Sequence, residues 1–349
     1  MTFIRLPLAV QTLYAELLDQ LRTVDARAAA GDLAGSLVSK QIRGRAYWYL
    51  QRSEGAAKRQ IYIGPDGSEE VERVRLALED RPVRAIDGAR RRDLVTMLAA
   101  GGMFRESAAI ATVLRILADA SVFRAGGVLV GTQAFNCLAN MLGVSFDHAA
   151  SRTADVDGAH DAAIPVAIEE RRSEAELIAA LRTADPGFFA VPGIDSRDPS
   201  TSFHVRGRDL RVDFLTPDRS RGKNSKPVML AHLGCAAQPL AGLDYLIEES
   251  VDAAVVGGNG IRVHVPLPAR FAVHKLWVAA GRPASEAAKS RKDILQATAL
   301  LEALAEDRPG DVARAFKIAA RRPSMWRRVK AQLGRLDANV TAMLRPLLP

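Results

Sequence analysis

The sequence predicts an α/β (α+β) protein with a mixed sheet at its centre and a mainly helical region on either side. Between residues 103 and 266, short apolar runs alternate with stretches of helical periodicity, which is typical of strands and helices packed in layers. Before that range, aromatic β-forming residues cluster between helical stretches. After it, Pro266 and Pro268 precede long helical stretches.

A chain of 349 residues is too long for one small core, so two or three domains are expected. We predict three. Residues 1–102 form an N-terminal helical region with a small antiparallel sheet, residues 103–266 a central domain with the mixed sheet, and residues 267–349 a C-terminal helical domain.

The overall charge favours an anionic partner. The formal net charge is +8, whereas the hydrophobic fraction of 48% and the charged fraction of 25% are ordinary for a globular protein. A basic balance is typical of proteins that bind RNA, DNA or nucleoside triphosphates, but charge alone does not separate these partners.

Two cysteines, Cys137 and Cys235, exclude a disulfide framework and a cysteine-based zinc site. Cys137 falls in an apolar helical stretch, so we expect a small core residue there. The N-terminus lacks a signal-peptide pattern, and no apolar run is long enough to span a bilayer. We therefore expect a cytoplasmic protein with no membrane partner.

The first region contains one helix, a small sheet and further helices. Gly101 and Gly102 break the last helical stretch before the chain resumes a helix. The predicted helices are Leu6–Arg22, Glu69–Glu79, Ala89–Ala100 and Phe104–Ala120. The predicted sheet comprises Ser36–Gln51, with a turn at residues 42–45, and a return strand at Arg59–Pro65.

Aromatic and basic residues are interleaved in this sheet. Tyr47, Trp48 and Tyr49 form an aromatic cluster, and cations lie around it: Lys40, Arg43, Arg45, Arg52, Lys58 and Arg59. One interpretation is a nucleic-acid contact surface, in which bases stack on rings and cations meet phosphates. The other is an ordinary half-buried sheet, since aromatic residues favour strands and surface cations are solvated.

The central domain opens with a buried strand, Val128–Val130. Gly131 and Thr132 then turn the chain into a helix with an apolar face, and Gly143 stands where a helix commonly ends.

Two carboxylates follow with a spacing of two residues. If Asp155 and Asp157 lie on a strand, they share one face and Val156 points to the other. Adjacent carboxylates repel each other unless a cation or a proton lies between them, and oxygen ligands suit Mg²⁺. Asp213 lies on a downstream strand, Leu210–Leu215, and points away from its apolar neighbours. The alternative for all three aspartates is a solvent-facing strand surface.

The rest of the sequence predicts further helices and strands and one cationic loop. Ser173 and Glu176 have the spacing of a capping box and predict a helix to about Arg182. The cationic loop 218–227 either guides a triphosphate or an RNA acceptor toward the carboxylates or is a solvated surface loop. The other predicted strands are Phe188–Val191, Ser202–Val205, Ala253–Val256 and Gly260–Val265, and the C-terminal helices are Arg270–Ala280, Ser285–Glu306 and a basic helix over residues 321–330.

This order of motifs resembles the nucleotidyltransferase superfamily, which has the polymerase-β-like fold. The family pattern is a strand, Gly-Gly or Gly-Ser at the start of a helix, Asp-x-Asp on the next strand and a third acid on a later strand. Here the matches are Gly131-Thr132, Asp155-x-Asp157 and Asp213, with threonine in place of the usual serine. The resemblance covers Val128–Phe214, extends more weakly to the helices after Pro268, and implies a bacterial nucleotidyltransferase-fold family.

The resemblance also implies the ligands of the site. Asp155, Asp157 and Asp213 would hold Mg²⁺ or Mn²⁺, and Gly131 and Thr132 would meet the phosphates of a nucleoside triphosphate such as ATP. Related enzymes place a lysine from a C-terminal helix against the triphosphate. By that resemblance Lys275 is the first candidate and Lys292 the second. Solvated lysines on amphipathic helices are the alternative for both.

The implied activity is metal-dependent transfer of a nucleoside monophosphate from a triphosphate to a hydroxyl group on RNA or tRNA, on a protein or on a small molecule. Two alternatives remain open at this stage. One is a catalytically degraded protein of the same fold that binds nucleic acid. The other is one component of a toxin–antitoxin module, which would have a protein partner.

Overall fold

The computed structural model describes residues 3–29, 36–42, 44–54, 57–69, 71–72, 74–75, 81–146, 155–163, 173–193, 199–220 and 226–349. The structure forms two compact units: residues 19–94 make the smaller one, and residues 1–18 together with 95–349 make the larger one. Along the chain, helices alternate with the strands of a mixed sheet, which confirms the predicted α/β (α+β) fold class. The three-part division at residues 102 and 266 stays a prediction.

The strands are β1 (Phe3–Arg5), β2 (Ser36–Ile42), β3 (Arg45–Glu54), β4 (Ala57–Pro65), β5 (Val128–Val130), β6 (Val144–Phe146), β7 (Asp155–Ala159), β8 (Phe188–Ala190), β9 (Ser202–Val205), β10 (Arg211–Pro217), β11 (Val228–Leu230), β12 (Cys235–Leu240), β13 (Ser250–Val255) and β14 (Ile261–Pro266). The helices are α1 (Leu8–Ala29), α2 (Arg81–Ala100), α3 (Ala108–Asp119), α4 (Gly131–Met141), α5 (Glu174–Arg182), α6 (Leu243–Ile247), α7 (Pro268–Gly281), α8 (Ala287–Asp307), α9 (Pro309–Ala320), α10 (Pro323–Leu333) and α11 (Ala338–Leu344).

The smaller unit contains an antiparallel sheet in the order β2-β3-β4. This confirms the predicted hairpin and its return strand. Leu50 on β3 is fully buried, because alternate residues of a strand point to opposite faces and one face carries the core. Val71, which follows the sheet in a helical stretch, is also fully buried. The predicted helix Glu69–Glu79 includes residues outside the described part of the chain.

The larger unit is organised around a mixed sheet in the order β11-β12-β10-β7-β5, with β9 beside the first half of β10 and β8 beside β9. β10 runs parallel to β7 and β12 and antiparallel to β9. Its sequence alternates, so that Val212, Phe214 and Thr216 are buried on one face of the sheet. Arg211 and Asp213 consequently lie on the other.

Helices cover this sheet and continue beyond it. α4 follows β5 without a loop and buries nearly every residue, including Cys137 as predicted. The capping box of Ser173 and Glu176 is present at the start of α5. In the C-terminal part, α7, α9 and α10 each begin with proline, which has no backbone N–H to leave unpaired in a first turn. No helix in the described ranges has both the length and the apolar character needed to cross a bilayer.

Some boundaries differ from those predicted. α1 begins at Leu8 and continues to Ala29, seven residues past the predicted end. α3 begins only at Ala108, because the Ser107 side chain caps it by accepting a hydrogen bond from the Ile110 amide. β11 and β12 were missed: alanine and proline in β12 are poor strand formers, and pairing with β10 overrides that preference. The helices α9 and α11 were also not predicted.

Candidate active site

The three predicted carboxylates meet on one face of the central sheet. In the parallel pairing of β7 and β10, Asp157 lies opposite Asp213, and Asp155 lies opposite Arg211. Val156 is fully buried on the reverse face. Because the two strands are neighbours in exact register, their alternate side chains converge, and the structure brings Asp155, Asp157 and Asp213 into one cluster.

Arg211 crosslinks this cluster. Its Nε lies 3.0 Å from Oδ1 of Asp155 and 3.1 Å from Oδ2 of Asp213. From the adjacent strand β9, Ser202 Oγ donates a hydrogen bond to Asp213 Oδ1 at 2.5 Å and lies 2.9 Å from His204 Nε2. Arg211 and Ser202 therefore fix the orientation of the Asp213 carboxylate.

The sequence contained a signal for Arg211 that our prediction did not use. Arg211 stands two residues before Asp213, and a spacing of two places both side chains on one face of a strand. Ser202 had no comparable signal, since its contact with Asp213 depends on the pairing of β9 with β10.

The Asp157 carboxyl group has a raised pKa. Burial first, and then the negative charges of Asp213 and Asp155, together raise it from 3.8 to about 6. Arg211 and Lys275 oppose the change without cancelling it. The cluster thus retains an excess of negative charge at Asp157.

Gly131, the first residue of α4, allows the backbone to lie close to the Asp157 side chain. Its φ is +69°, in the left-handed region that favours glycine, and a Cβ on it would lie 2.2 Å from Asp157 Oδ2. The N-terminal end of α4, with Thr132 as its second and nearly buried residue, is thereby held beside the carboxylates. The free N–H groups and the dipole of a helix N-terminus favour anions.

Both predicted lysines border the same cluster. Lys275 Nζ bonds to Asp293 Oδ1 at 2.8 Å, and its charge acts on Asp157. Arg282 Nε holds the other oxygen of Asp293 at 2.6 Å. The pKa of Lys292 is lowered, first by burial and then by Lys275, whereas Asp155 acts in the opposite direction. Helices α7 and α8 therefore bring positive charge to the sheet.

The buried Asp293 was missed by sequence reasoning. It is 3% exposed and accepts from both Lys275 and Arg282, so it orients two cations at once. Its neighbour Lys292 was the residue that the family resemblance suggested. An acid beside a lysine on a helix is common on protein surfaces, and only the packing of α8 against α7 shows that this one is buried.

A second polar group lies behind the start of α4. Burial raises the pKa of Glu106 to about 7. Asn136 Nδ2 donates to Glu106 Oε1 at 3.3 Å, and the Gln133 amide, with its nitrogen turned toward Glu106, donates to the same oxygen at 2.9 Å. Two amides three residues apart on a buried helix were the available sequence signal. This network anchors the first turns of α4.

The cationic loop 218–227 does not lie beside the carboxylates where the structure describes it. Arg219 pairs with Asp161 at 2.5 Å, past the end of β7. Asp157 and Asp161 are four residues apart, which is roughly 13 Å along extended chain. Residues 221–225 are outside the described ranges. A guiding role for this loop therefore stays a prediction.

The chemistry of the donors fits a hard divalent cation. Three carboxylates supply only oxygen ligands, which Mg²⁺ and Mn²⁺ prefer, and burial together with the two neighbouring carboxylates raises the pKa of Asp157. Among the described residues, no group of three or more acidic, histidine or cysteine side chains has the geometry to hold a metal ion. Arg211 lies between Asp155 and Asp213 and forms ion pairs with both. A cation would compete with Arg211 for the same oxygens.

A family model described as nucleotidyltransferase matches residues 108–321, which is more than half of the chain. The matched range runs from α3 to the end of α9 and includes the three carboxylates and both lysines. No curated protein and no solved structure gives a significant match.

The contact between Gly131 and Asp157 predicts an unequal cost for two alanine substitutions. Gly207 has a similar φ of +73° but no atom within 4 Å of an added Cβ, whereas at Gly131 the added Cβ meets Asp157. Gly207→Ala should lower the free energy of unfolding by about 1 kcal/mol through backbone strain. Gly131→Ala should cost roughly 2 kcal/mol more, measured by urea denaturation. Equal costs would contradict the close approach.

The charge excess at Asp157 predicts a pH-dependent stability difference. The folded-state pKa of about 6 lies above the ordinary 3.8, so ionisation of Asp157 destabilises the fold as the pH rises through this interval. In metal-free buffer, Asp157→Asn should raise the free energy of unfolding by about 2 kcal/mol above pH ~7. The gain should disappear below pH ~4, where the carboxyl is protonated in both states. A gain that is independent of pH would refute the assignment.

Proposed function

The chain belongs to a nucleotidyltransferase family, and on that premise we propose that it moves a nucleoside monophosphate from a nucleoside triphosphate to a hydroxyl acceptor at Asp155, Asp157 and Asp213. The family match confirms the resemblance drawn from the sequence motifs and makes the chain a transferase of nucleotidyl groups. One observation carries the site assignment: the register of β7 and β10 places the three carboxylates together, against the N-terminus of α4.

In this proposal Asp155, Asp157 and Asp213 hold Mg²⁺ or Mn²⁺. A bound divalent cation would neutralise phosphate charge and make the attacking hydroxyl more acidic. Arg211, whose side chain is 38% exposed, has room to release Asp155 and Asp213 when another cation takes their oxygens. In the free protein its guanidinium would limit the repulsion among the carboxylates.

The chain's own groups bind and orient the triphosphate. The backbone N–H groups at Gly131 and Thr132 would donate to phosphate oxygens, since a helix N-terminus lacks internal partners for them. Lys275 would contribute its charge from α7, and Lys292 from α8. Asp293 and Arg282 would keep the Lys275 ammonium in place, which reduces the entropy lost when the triphosphate binds.

In this proposal Asp213 would also receive the proton of the acceptor hydroxyl. As the hydroxyl oxygen bonds to the α-phosphorus, the bond to the bridging oxygen breaks and pyrophosphate leaves. Ser202 and Arg211 hold Asp213 in one orientation, so the carboxylate needs no rearrangement during the transfer. The protein would act mainly by positioning and by charge, as is usual in phosphoryl chemistry.

RNA or tRNA, a protein and a small molecule all remain acceptor candidates for this proposal, and a toxin–antitoxin role with a protein partner remains a separate hypothesis. A catalytically degraded protein would be expected to have lost part of the carboxylate set. The presence of all three aspartates in one cluster supports an active enzyme instead.

Replacing Asp155 and Asp157 together by Asn should remove Mg²⁺-dependent triphosphate binding and transfer. Calorimetric titration of each nucleoside triphosphate, with and without Mg²⁺, measures the binding without knowledge of the acceptor. Asp161→Asn is the matched control, because Asp161 follows the same strand but pairs with the exposed Arg219. The control should bind like the wild type. Retention of full metal-dependent binding by the double variant would show that the site lies elsewhere.

The lysine assignment predicts a charge effect specific to Lys275. Lys275→Met should weaken triphosphate binding by about tenfold, the loss expected for one charge-assisted phosphate contact. Arg282 would still compensate Asp293 in this variant. Lys289→Met removes an exposed charge from α8 and should change binding little. If both variants weakened binding equally, Lys275 would act only through the net charge.

A further inference from the structure

Three tyrosines form a partly exposed cluster on the sheet of the smaller unit. The ring centroids of Tyr49 and Tyr62 are 5.5 Å apart, and those of Tyr47 and Tyr62 are 6.3 Å apart. Tyr62 is 53% exposed, and the other two are half-buried. We call this surface of β3 and β4, with Lys40 from β2, the tyrosine face.

The tyrosine face is not the core side of its sheet. Alternation along β3 directs Trp48 and Leu50 to the opposite face, where Leu50 is fully buried. Trp48 Nε1 donates to Asp66 at 2.7 Å, and its ring packs against Arg75. The core of the unit is therefore built from other residues, and packing alone does not explain three aromatic rings on the solvent side.

Positive charge is concentrated in the same segment. Residues 36–65 contain six Lys or Arg and one Asp or Glu, which gives 6 − 1 = +5 of the chain's net +8. On the tyrosine face itself, Lys40 Nζ lies 4.9 Å from the centroid of the Tyr49 ring. Lys40 also lies opposite Tyr47 in the pairing of β2 with β3. A cation and stacked rings thus share one surface.

The polar surroundings indicate the kind of ligand. Beside the tyrosines, Gln60 Nε2 donates to Gln51 Oε1 at 2.8 Å, so the surface is not a continuous apolar patch of the kind that typically receives a protein. Rings on an antiparallel sheet accept unpaired bases by stacking, while nearby cations meet the phosphates. Duplexes keep their bases stacked on each other and offer no free base faces.

We propose that the tyrosine face binds single-stranded nucleic acid, with bases stacked on Tyr49 and Tyr62 and the backbone near Lys40. RNA and DNA single strands share this chemistry. The binding is a property of the smaller unit, which holds none of the three carboxylates, and it does not rest on the proposed transfer reaction.

The test is fluorescence anisotropy of the full chain with labelled oligonucleotides of about twelve nucleotides, a length within the range that such surfaces cover. Oligo-uridine, oligo-thymidine and a duplex of equal length are compared in chelator, so that no metal-dependent transfer occurs. Both single strands should bind more tightly than the duplex. A clear preference for oligo-uridine over oligo-thymidine would identify RNA as the ligand, and equal affinities would identify single strands of either kind.

Substitutions on the tyrosine face test whether the tyrosine rings bind the strand by stacking. Tyr49→Ala with Tyr62→Ala should weaken single-strand binding by at least about tenfold through lost stacking, whereas Tyr49→Phe with Tyr62→Phe should stay within about threefold. Circular dichroism checks that the alanine variant is folded. Should it not fold, Tyr62→Ala alone decides the question, because this ring is mostly exposed.

Lys40 has a matched control elsewhere in the chain. Lys330 Nζ also lies over an aromatic ring, 6.0 Å from the centroid of Trp326, but on α10. Lys40→Met should weaken single-strand binding and reduce its salt dependence by about one phosphate contact, and Lys330→Met should not. Absence of single-strand binding, duplex binding of equal strength, or binding that survives both Tyr62→Ala and Lys40→Met would overturn the proposal.

Discussion

The larger unit depends on repulsion among three carboxylates that neighbouring strands hold on one face. Asp157 lies directly opposite Asp213, and Asp155 is two residues along the same strand. The strand register leaves these groups no freedom to separate, and the pKa of Asp157 is raised first by burial and then by the charges of Asp213 and Asp155. Every cation near the sheet can be understood as a response to this constraint.

The response comes from three elements. Arg211 supplies charge from within the sheet, and Lys275 and Lys292 supply it from α7 and α8. Asp293 then pairs with Lys275 and Arg282, so the Lys275 ammonium group is held in place. In the proposed reaction such an arrangement would cost stability and favour catalysis, because charges already in place would need little reorganisation when an anionic triphosphate and its metal bind.

The two compact units present different chemistry. The larger one concentrates carboxylates beside a helix N-terminus, whereas in the smaller one residues 36–65 have a net charge of +5 and carry three neighbouring tyrosines. Carboxylates that hold a metal cation are typical of sites for phosphate chemistry. Aromatic rings beside basic side chains are typical of surfaces on which nucleic-acid bases stack while the phosphate backbone meets the positive charge. The proposed nucleic-acid binding would thus belong to a different unit from the proposed nucleotide transfer.

The sequence alone determined the local features: the alternation that places Asp155 and Asp157 on one face, the glycine that opens α4, and the capping box at the start of α5. These features follow from the periodicity of side chains and from backbone preferences within a few residues, so they can be recognised without knowledge of the tertiary fold. Only the tertiary structure decided that Arg211 bridges two strands, that Asp293 is buried between two cations, and that β12 pairs with β10. Those contacts depend on strand order, register and helix packing between distant segments, and no local period in the chain encodes them.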